Sequence, residues 1–316
     1  MITPLAMIIA IRSSTHCRSE CESFRRRSSL TRSTGCRMFC LAFETLQSMS
    51  LQPMRGRMKL GCNTVLFGSV DLETALDQIA FAGYQYVELA AIVGMCEHLS
   101  LDSDPPRIKE LISSRGLTAT AIEAASTDTD RLRGIFGLAR DLDIRIVNIG
   151  SGGTAGDEDS TKAAVEHIRD LAKLADDHDV RLAVKPHVGQ AIYDGATGMR
   201  LMEEVGEPAL GLNFDPSHLF RADEDPAEIA HRWGERILTS HFRDCGSRER
   251  QVGPPPTQIP GRGIVDLPAT LAALESVGYT GPLNLEIIGA RDYTLAQASS
   301  VAAEARGYLN RCLQEI

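Results

Sequence analysis

No stretch of this chain reaches the eighteen or so consecutive apolar residues that a membrane-spanning helix needs. No disulfide framework is legible either. Cys17, Cys21, Cys36 and Cys40 form two C-x3-C pairs near the start, and Cys62, Cys96, Cys245 and Cys312 are scattered. A reducing cytoplasm is therefore the default compartment. The paired cysteines offer a zinc reading, but their spacing is looser than a zinc knuckle, and chance is the preferred account. Positive charge is scarce after residue 57: 24 Lys and Arg face 39 Asp and Glu, a net charge of −15. Such an acidic body argues against nucleic acid as a general partner. A glycine-rich phosphate turn is also missing. Gly61-Cys-Asn-Thr-Val-Leu-Phe-Gly68, after the first predicted strand, is not one, which disfavours a doubly wound dinucleotide fold.

Residues 1–57 are a different kind of sequence, with nine Arg, no Lys and three Glu. Three readings compete: an Arg- and Ser-rich targeting peptide, a disordered tail, or an upstream extension of the reading frame whose working start is Met58 or Met54. The last two together are preferred. The apolar stretch 5–11 has no basic segment before it and no cleavage site after it, so a secretory signal is not expected.

From Met58 onward the chain alternates between strand-like and helix-like segments. Strands are predicted at 58–63, 84–91, 117–123, 143–150, 180–187, 209–215, 236–241 and 282–288. Between them, segments such as Asp71–Gly83 carry a capping Asp, helical periodicity and a terminal Gly. Eight strand–helix units in about 250 residues predict a single-domain α/β fold, the (β/α)8 TIM barrel, over 58–316. The long segment 242–265 precedes the last such helix and reads as a lid over the pocket.

Four of the predicted strands end on residues that bind metals or handle protons. These are Lys185 with His187, Asp215 with His218, His241, and Glu286. In a closed parallel barrel all strand C-termini open on one face, so these residues meet. Asp, His and Glu make a mixed oxygen and nitrogen set suited to a divalent cation. His218, Arg243, Asn148 and Glu88 are candidate substrate contacts, and Glu123 is a further acid at a strand end. Gly150-Ser-Gly-Gly153 is read as a plain turn in preference to a phosphate cradle, because it lacks the Lys and Ser/Thr of a P-loop. His98, His167, His178 and His231 are read as surface residues.

At these positions the chain resembles the xylose-isomerase-like barrel superfamily. The markers are Gly83-Tyr-Gln-Tyr-Val-Glu88, Asp215-Pro-Ser-His218, Ser240-His241-Phe-Arg-Asp244, Gly261-Arg-Gly-Ile-Val-Asp266 and Gly278-Tyr-Thr-Gly-Pro-Leu-Asn-Leu-Glu286. The resemblance implies one divalent ion (Mn, Mg, Co or Zn) held by four strand-end residues, of which Asp215, His241 and Glu286 match. The usual fourth ligand, a Glu, is here Lys185, and a protonated Lys has no lone pair to give. Three readings follow: His187 or water completes the shell, Lys185 replaces the ion, or a neutral Lys185 does chemistry. The resemblance implies an isomerase or epimerase acting on a sugar, polyol or keto-sugar through an enediolate; since Lys185 stands where the family has one of two proton-trading glutamates, a Lys185–Glu286 acid/base pair is expected here. A dehydratase acting β to a carbonyl is the alternative. A sugar-binding barrel without catalysis is a third reading, and an endonuclease is disfavoured. A small carbohydrate is the expected partner, and a homo-oligomer is carried by analogy alone.

Overall fold

The computed structural model describes residues 58–316; the readings made for 1–57 lie outside the described residues. The strands are Lys59–Asn63 (β1), Tyr86–Ile92 (β2), Cys96–Glu97 (β3), Thr118–Glu123 (β4), Ile146–Ile149 (β5), Arg181–Val184 (β6), Leu210–Phe214 (β7), Ile237–His241 (β8) and Pro282–Leu285 (β9). All but β3 pair in parallel, and the β1–β2 pairing closes them into an eight-stranded barrel. The eight predicted strands are these eight, although β5 and β6 are shorter than the sequence pattern suggested. Two-residue β3, which pairs antiparallel with the end of β2, went unpredicted; it is too short to leave a periodic signal.

Period-two alternation sorts each strand's side chains. Val87, Leu89, Ile122, Val147, Leu182, Val184, Leu212, Phe214, Leu283 and Leu285 all belong to the buried apolar core. The alternate positions hold Asn63, Glu88, Glu123, Asn148, Asn213, Thr239, His241 and Asn284, equally buried but polar. These bond to one another inside the barrel. Asn284 accepts from Thr120 at 3.3 Å and donates to Thr239 at 3.4 Å. Gly61 sits opposite Asn284, where a Cβ would come 2.2 Å from the amide oxygen, so no other residue fits there without displacing that amide.

The helices are set by their first residues. Asp71, Asp128, Asp157, Asp194, Asp225 and Asp266 each accept a hydrogen bond from the first turn of the helix they precede. Each such cap contributes about 1 kcal/mol. Apolar faces then lie on the strands. Trp233 packs edge-on against Phe214 with ring centroids 5.8 Å apart, and its indole N–H donates to the Gly195 carbonyl.

Candidate active site at the strand C-termini

Barrel closure brings the strand ends together as expected. Lys185, one residue past β6, is buried, and its Nζ donates to Glu286 Oε1 and approaches His241 Nδ1, both at 2.9 Å. Glu123 Oε1 lies 3.8 Å from the same ammonium. Arg243, two residues past the end of β8, spans the other side. Its Nη2 is 3.1 Å from Asp215 Oδ2 and its Nη1 is 3.1 Å from Glu286 Oε2, the latter too poorly aligned for a hydrogen bond. Asp215 Oδ1 accepts from Ser217 Oγ at 2.7 Å and Ser217 N at 2.9 Å. His241 Nε2 lies 2.7 Å from Glu88 Oε2, which also accepts from Asn63 at 2.7 Å. Asn148 donates to the other Glu88 oxygen.

A cavity of about 250 Å³ opens above this floor, near the lower end of pockets that hold small ligands. Glu123, Lys185, His187, Arg243 and Glu286 line it, with Gly150, Gly152 and Gln190 on one wall. The Ser151 and Gly152 N–H groups donate to the Gln190 side chain. That turn is therefore already satisfied, in keeping with the plain-turn reading.

The charges are strongly coupled. Burial pushes the Glu123 carboxyl up, only partly offset by Lys185 and His241, and it comes to about 7. Glu286 moves the opposite way: burial would raise it, but His241, Lys185 and Arg243 hold it well below the usual carboxylate range. For Asp215, burial is likewise overcome by Arg243 and Lys185, so its pKa is lowered. Burial would lower the Lys185 pKa, yet Glu123 and Glu286 outweigh it and the amine is held protonated. A neutral Lys185, one of the three sequence readings, is thus disfavoured by its neighbours. Desolvation, then Lys185 and Arg243, lower His187 to about 4. His241 resists its own burial because Glu286 and Glu88 raise its pKa. The contact with the Lys185 ammonium nonetheless demands a lone pair at Nδ1. A lone pair at Nδ1 would place the ring proton on Nε2, toward Glu88.

Of the sequence candidates, Lys185, Asp215, His241, Arg243 and Glu286 form one connected cluster. Glu88 and Asn148 are drawn together beneath it, bonded to each other and buried from the cavity wall. His218 is buried between two arginines, with Arg243 at 3.0 Å and Arg221 at 3.1 Å. His187 stacks on His218 with ring centroids 4.2 Å apart. Glu123 was underweighted in the sequence. Its signal was the position itself, since it ends a strand with the parity of Glu88 and His241. Three of the histidines read as surface residues are partly buried, and His98 and His167 anchor to the carbonyls of Val70 and Thr127. The expected lid also differs. Arg243 is the one cavity-lining residue from the 242–265 segment. That segment is pinned instead by Asp244, whose oxygens accept from the N–H groups of Cys245, Gly261, Gly263 and Val265.

Among the described residues, two groups of side chains have the composition of a metal site, Asp215–His241–Glu286 and Glu88–Glu123–His241, with donor atoms within 4.8 Å of one another. His187 joins neither. Most of the first group's lone pairs are committed to Lys185, Arg243 and Ser217, while Glu286 Oε2 accepts no hydrogen bond. Glu286 Oε1 and His241 Nδ1 are 3.2 Å apart. An ion at the usual ~2.1 Å from both would lie within about 4 Å of the ammonium. Repulsion between a dication and that ammonium is on the order of 8 kcal/mol at an effective dielectric constant of ~20. In the second group, both Glu88 oxygens already accept hydrogen bonds, from Asn63 and Asn148. With Lys185 where it stands, neither group fits an ion.

Sequence and structure comparisons agree on the fold. The chain is 24% identical over 169 residues to an inosose dehydratase of Clostridium beijerinckii, covering 48% of this chain and 54% of that protein. It is 25% identical over 231 residues to a 3-dehydroshikimate dehydratase of Pseudomonas aeruginosa, covering 68% of this chain and 36% of the relative. This chain thus spans about half or less of the curated relatives it matches. Among solved structures, the IOLI protein with a bound zinc atom superposes with a TM-score of 0.69 at 18% identity, covering 82% of this chain and 99% of that one. An L-ribulose 3-epimerase gives 0.66 at 18%, covering 82% and 95%. The model of the xylose isomerase-like TIM barrel family matches residues 76–312. With the closed barrel and the strand-end cluster, that match makes this chain a member of the xylose isomerase-like TIM barrel family.

Proposed function

We propose that this barrel is a lyase that enolises a small polyhydroxylated ketone and expels a β-hydroxyl group as water. The observation that carries the reading is the unequal state of the two carboxyls facing the cavity. Glu123 titrates near 7, whereas Glu286 is locked as an anion between Lys185 and Arg243. A general acid/base works best with a pKa near the operating pH, and Glu123 meets that condition. The Glu123 carboxylate takes the proton from the carbon next to the carbonyl. Charge then develops on the carbonyl oxygen, and the Lys185 N–H not given to Glu286 or His241 stabilises it. When the enolate collapses, the β C–O bond breaks, and Glu123 returns its proton to the departing hydroxide. One group takes and returns the proton, so the products are an enone and water. Glu286 and His241 keep the ammonium oriented throughout.

The dehydratases among the relatives support this choice. The epimerase reading, the first expectation from sequence, keeps a specific support: Glu286 also lines the cavity and could serve the opposite face of the substrate. It demands proton exchange through a carboxylate that Lys185 and Arg243 hold ionised, which is why dehydration is preferred.

The test is incubation in D2O with a panel of inososes, dehydroshikimate-type cyclic ketones and ketohexoses, followed by NMR. Deuterium entering next to the carbonyl, with loss of water and an enone product, is the expected result. Exchange with inversion and no enone would move the assignment to epimerisation. No exchange on any member, with ligands still binding, would favour a carbohydrate-binding barrel.

A further inference from the structure

The residues that would form a metal centre here are held by the chain's own cations, with Glu286 Oε2 the one oxygen of the three side chains that accepts no hydrogen bond. Lys185 Nζ takes the Nδ1 side of His241 and one oxygen of Glu286. Arg243 takes one oxygen of Asp215 and lies 3.1 Å from the other oxygen of Glu286. The remaining oxygen of Asp215 is filled by Ser217 Oγ and the Ser217 and His218 N–H groups. All three cluster residues are essentially inaccessible to solvent, as are Lys185 and Arg243.

We propose that Lys185 and Arg243 are permanent counter-cations of the Asp215–His241–Glu286 centre, so that this barrel neither takes up nor needs a divalent ion. The argument is one of lone pairs and charge. A metal ligand must present a free electron pair, and an ammonium presents none while consuming those of its neighbours. Binding an ion would require Lys185 to leave both His241 and Glu286. A buried Lys that leaves its carboxylate partners must find others or lose its proton. The arrangement is therefore self-consistent without an ion. Lys185 also lines the cavity, so the positive charge that faces a bound molecule is a hydrogen-bond donor in place of a Lewis acid. A Lys donor points N–H groups at one oxygen, whereas an ion would chelate two. The site is thereby suited to a lone carbonyl oxygen more than to a vicinal pair of oxygens.

The proposal does not depend on the reaction assigned above, because its test needs no substrate. The full chain is stripped with chelator and titrated with Mn2+ by calorimetry, with bound ion counted by elemental analysis. Mn2+ is the probe because it prefers oxygen and nitrogen ligands over thiolates, and the chain carries eight Cys. The wild type should retain far less than one ion per chain. Lys185→Glu exchanges the ammonium for a carboxylate and frees His241 Nδ1 and Glu286 Oε1. It should gain one Mn2+ per chain, bound about 100-fold or more tighter than by the wild type, and the gain should vanish in Lys185→Glu/Asp215→Asn. One Mn2+ per wild-type chain at micromolar affinity, lost on Asp215→Asn, would overturn the proposal. So would a folded Lys185→Glu that gains no ion. Should Lys185→Glu fail to fold, the wild-type titration decides alone: an ion bound through Asp215 refutes the proposal, and its absence upholds it. Where a substrate has been found, activity unchanged by EDTA is the matching expectation, and a chelator-induced loss restored by Mn2+ would count against it.

Discussion

The two halves of the barrel's interior carry opposite chemistry. The early strands, β1 to β5, contribute Asn63, Glu88, Glu123 and Asn148, which are acids and amides without a cation. The later strands and the residues just beyond them contribute Lys185, Asp215, His241, Arg243 and Glu286, where each acid has a cation against it. Two carboxyls at equal depth therefore behave differently. Glu123, with the Lys185 ammonium 3.8 Å away, is raised to about 7, while Glu286, in direct contact with Lys185 and Arg243, is held well below its ordinary value. Burial alone does not set the ionisation of a barrel acid; the partner contributed by the facing strand does.

The largest effect should come from removing the cation that joins the halves. Lys185→Met leaves Glu286 and Glu123 buried without their ammonium. It should cost about 3–5 kcal/mol in urea unfolding, and roughly 100- to 1000-fold in turnover. A variant of wild-type stability would mean that the ion pair is not formed.

Next comes Glu123→Gln, which keeps the shape of the early-strand side and deletes its titration. Turnover should fall roughly 100- to 10,000-fold, and the rise of kcat/KM through about pH 7, expected for a base that must be ionised, should disappear. An unchanged pH profile would reassign the base.

A smaller effect is expected for Arg243→Lys. One ammonium cannot reproduce the span from Asp215 to Glu286, and about 1.5–3 kcal/mol of charge-assisted hydrogen bonding should be lost in chemical denaturation. Full stability would show that either carboxylate is content with one cation.

The subtlest test is acid stability. Burial lowers the pKa of His218 well below 6.5, with His187 and Arg243 adding to it, and His187 falls to about 4. A folded pKa below the unfolded one means stability that is present above 6.5 and lost as pH falls through the window toward 4. Glu123, raised in the fold, works in the opposite direction between its unfolded value of 4.5 and about 7. Tm measured from pH 7 to 4.5 should fall less in His218→Asn than in wild type, and more in Glu123→Gln. Parallel curves for all three would remove these groups from the acid limb.

Much of this was legible in the sequence. Period-two runs ending on Lys185, Asp215, His241 and Glu286 predicted both the barrel and the meeting of those residues, because strand-end geometry is fixed once the barrel closes. What stayed hidden depended on facing partners. Nothing local in Glu123 distinguishes it from Glu286; the difference lies in which cations sit opposite. The place of His187 was misjudged for a similar reason. It lies two residues beyond Lys185, but the chain has already left the strand at Val184, so strand parity no longer carries the ring to the ligand position. The lid reading failed because a long, Pro- and Gly-rich loop looks free until its one anchoring acid is located.

That anchor, Asp244, has an evolutionary consequence. It gathers the two ends of the excursion, with Cys245 N and Val265 N on one oxygen and Gly261 N and Gly263 N on the other. Gly263 passes so close that a Cβ would lie 2.1 Å from the carboxylate, which makes its identity part of the knot. Residues 246–252 lie outside the knot and reach Arg243 indirectly, through the Arg250 carbonyl, Arg221 and His218. Lineages can lengthen, trim or rewrite that stretch to meet new molecules at the barrel rim while the ionic floor of the site is inherited unchanged.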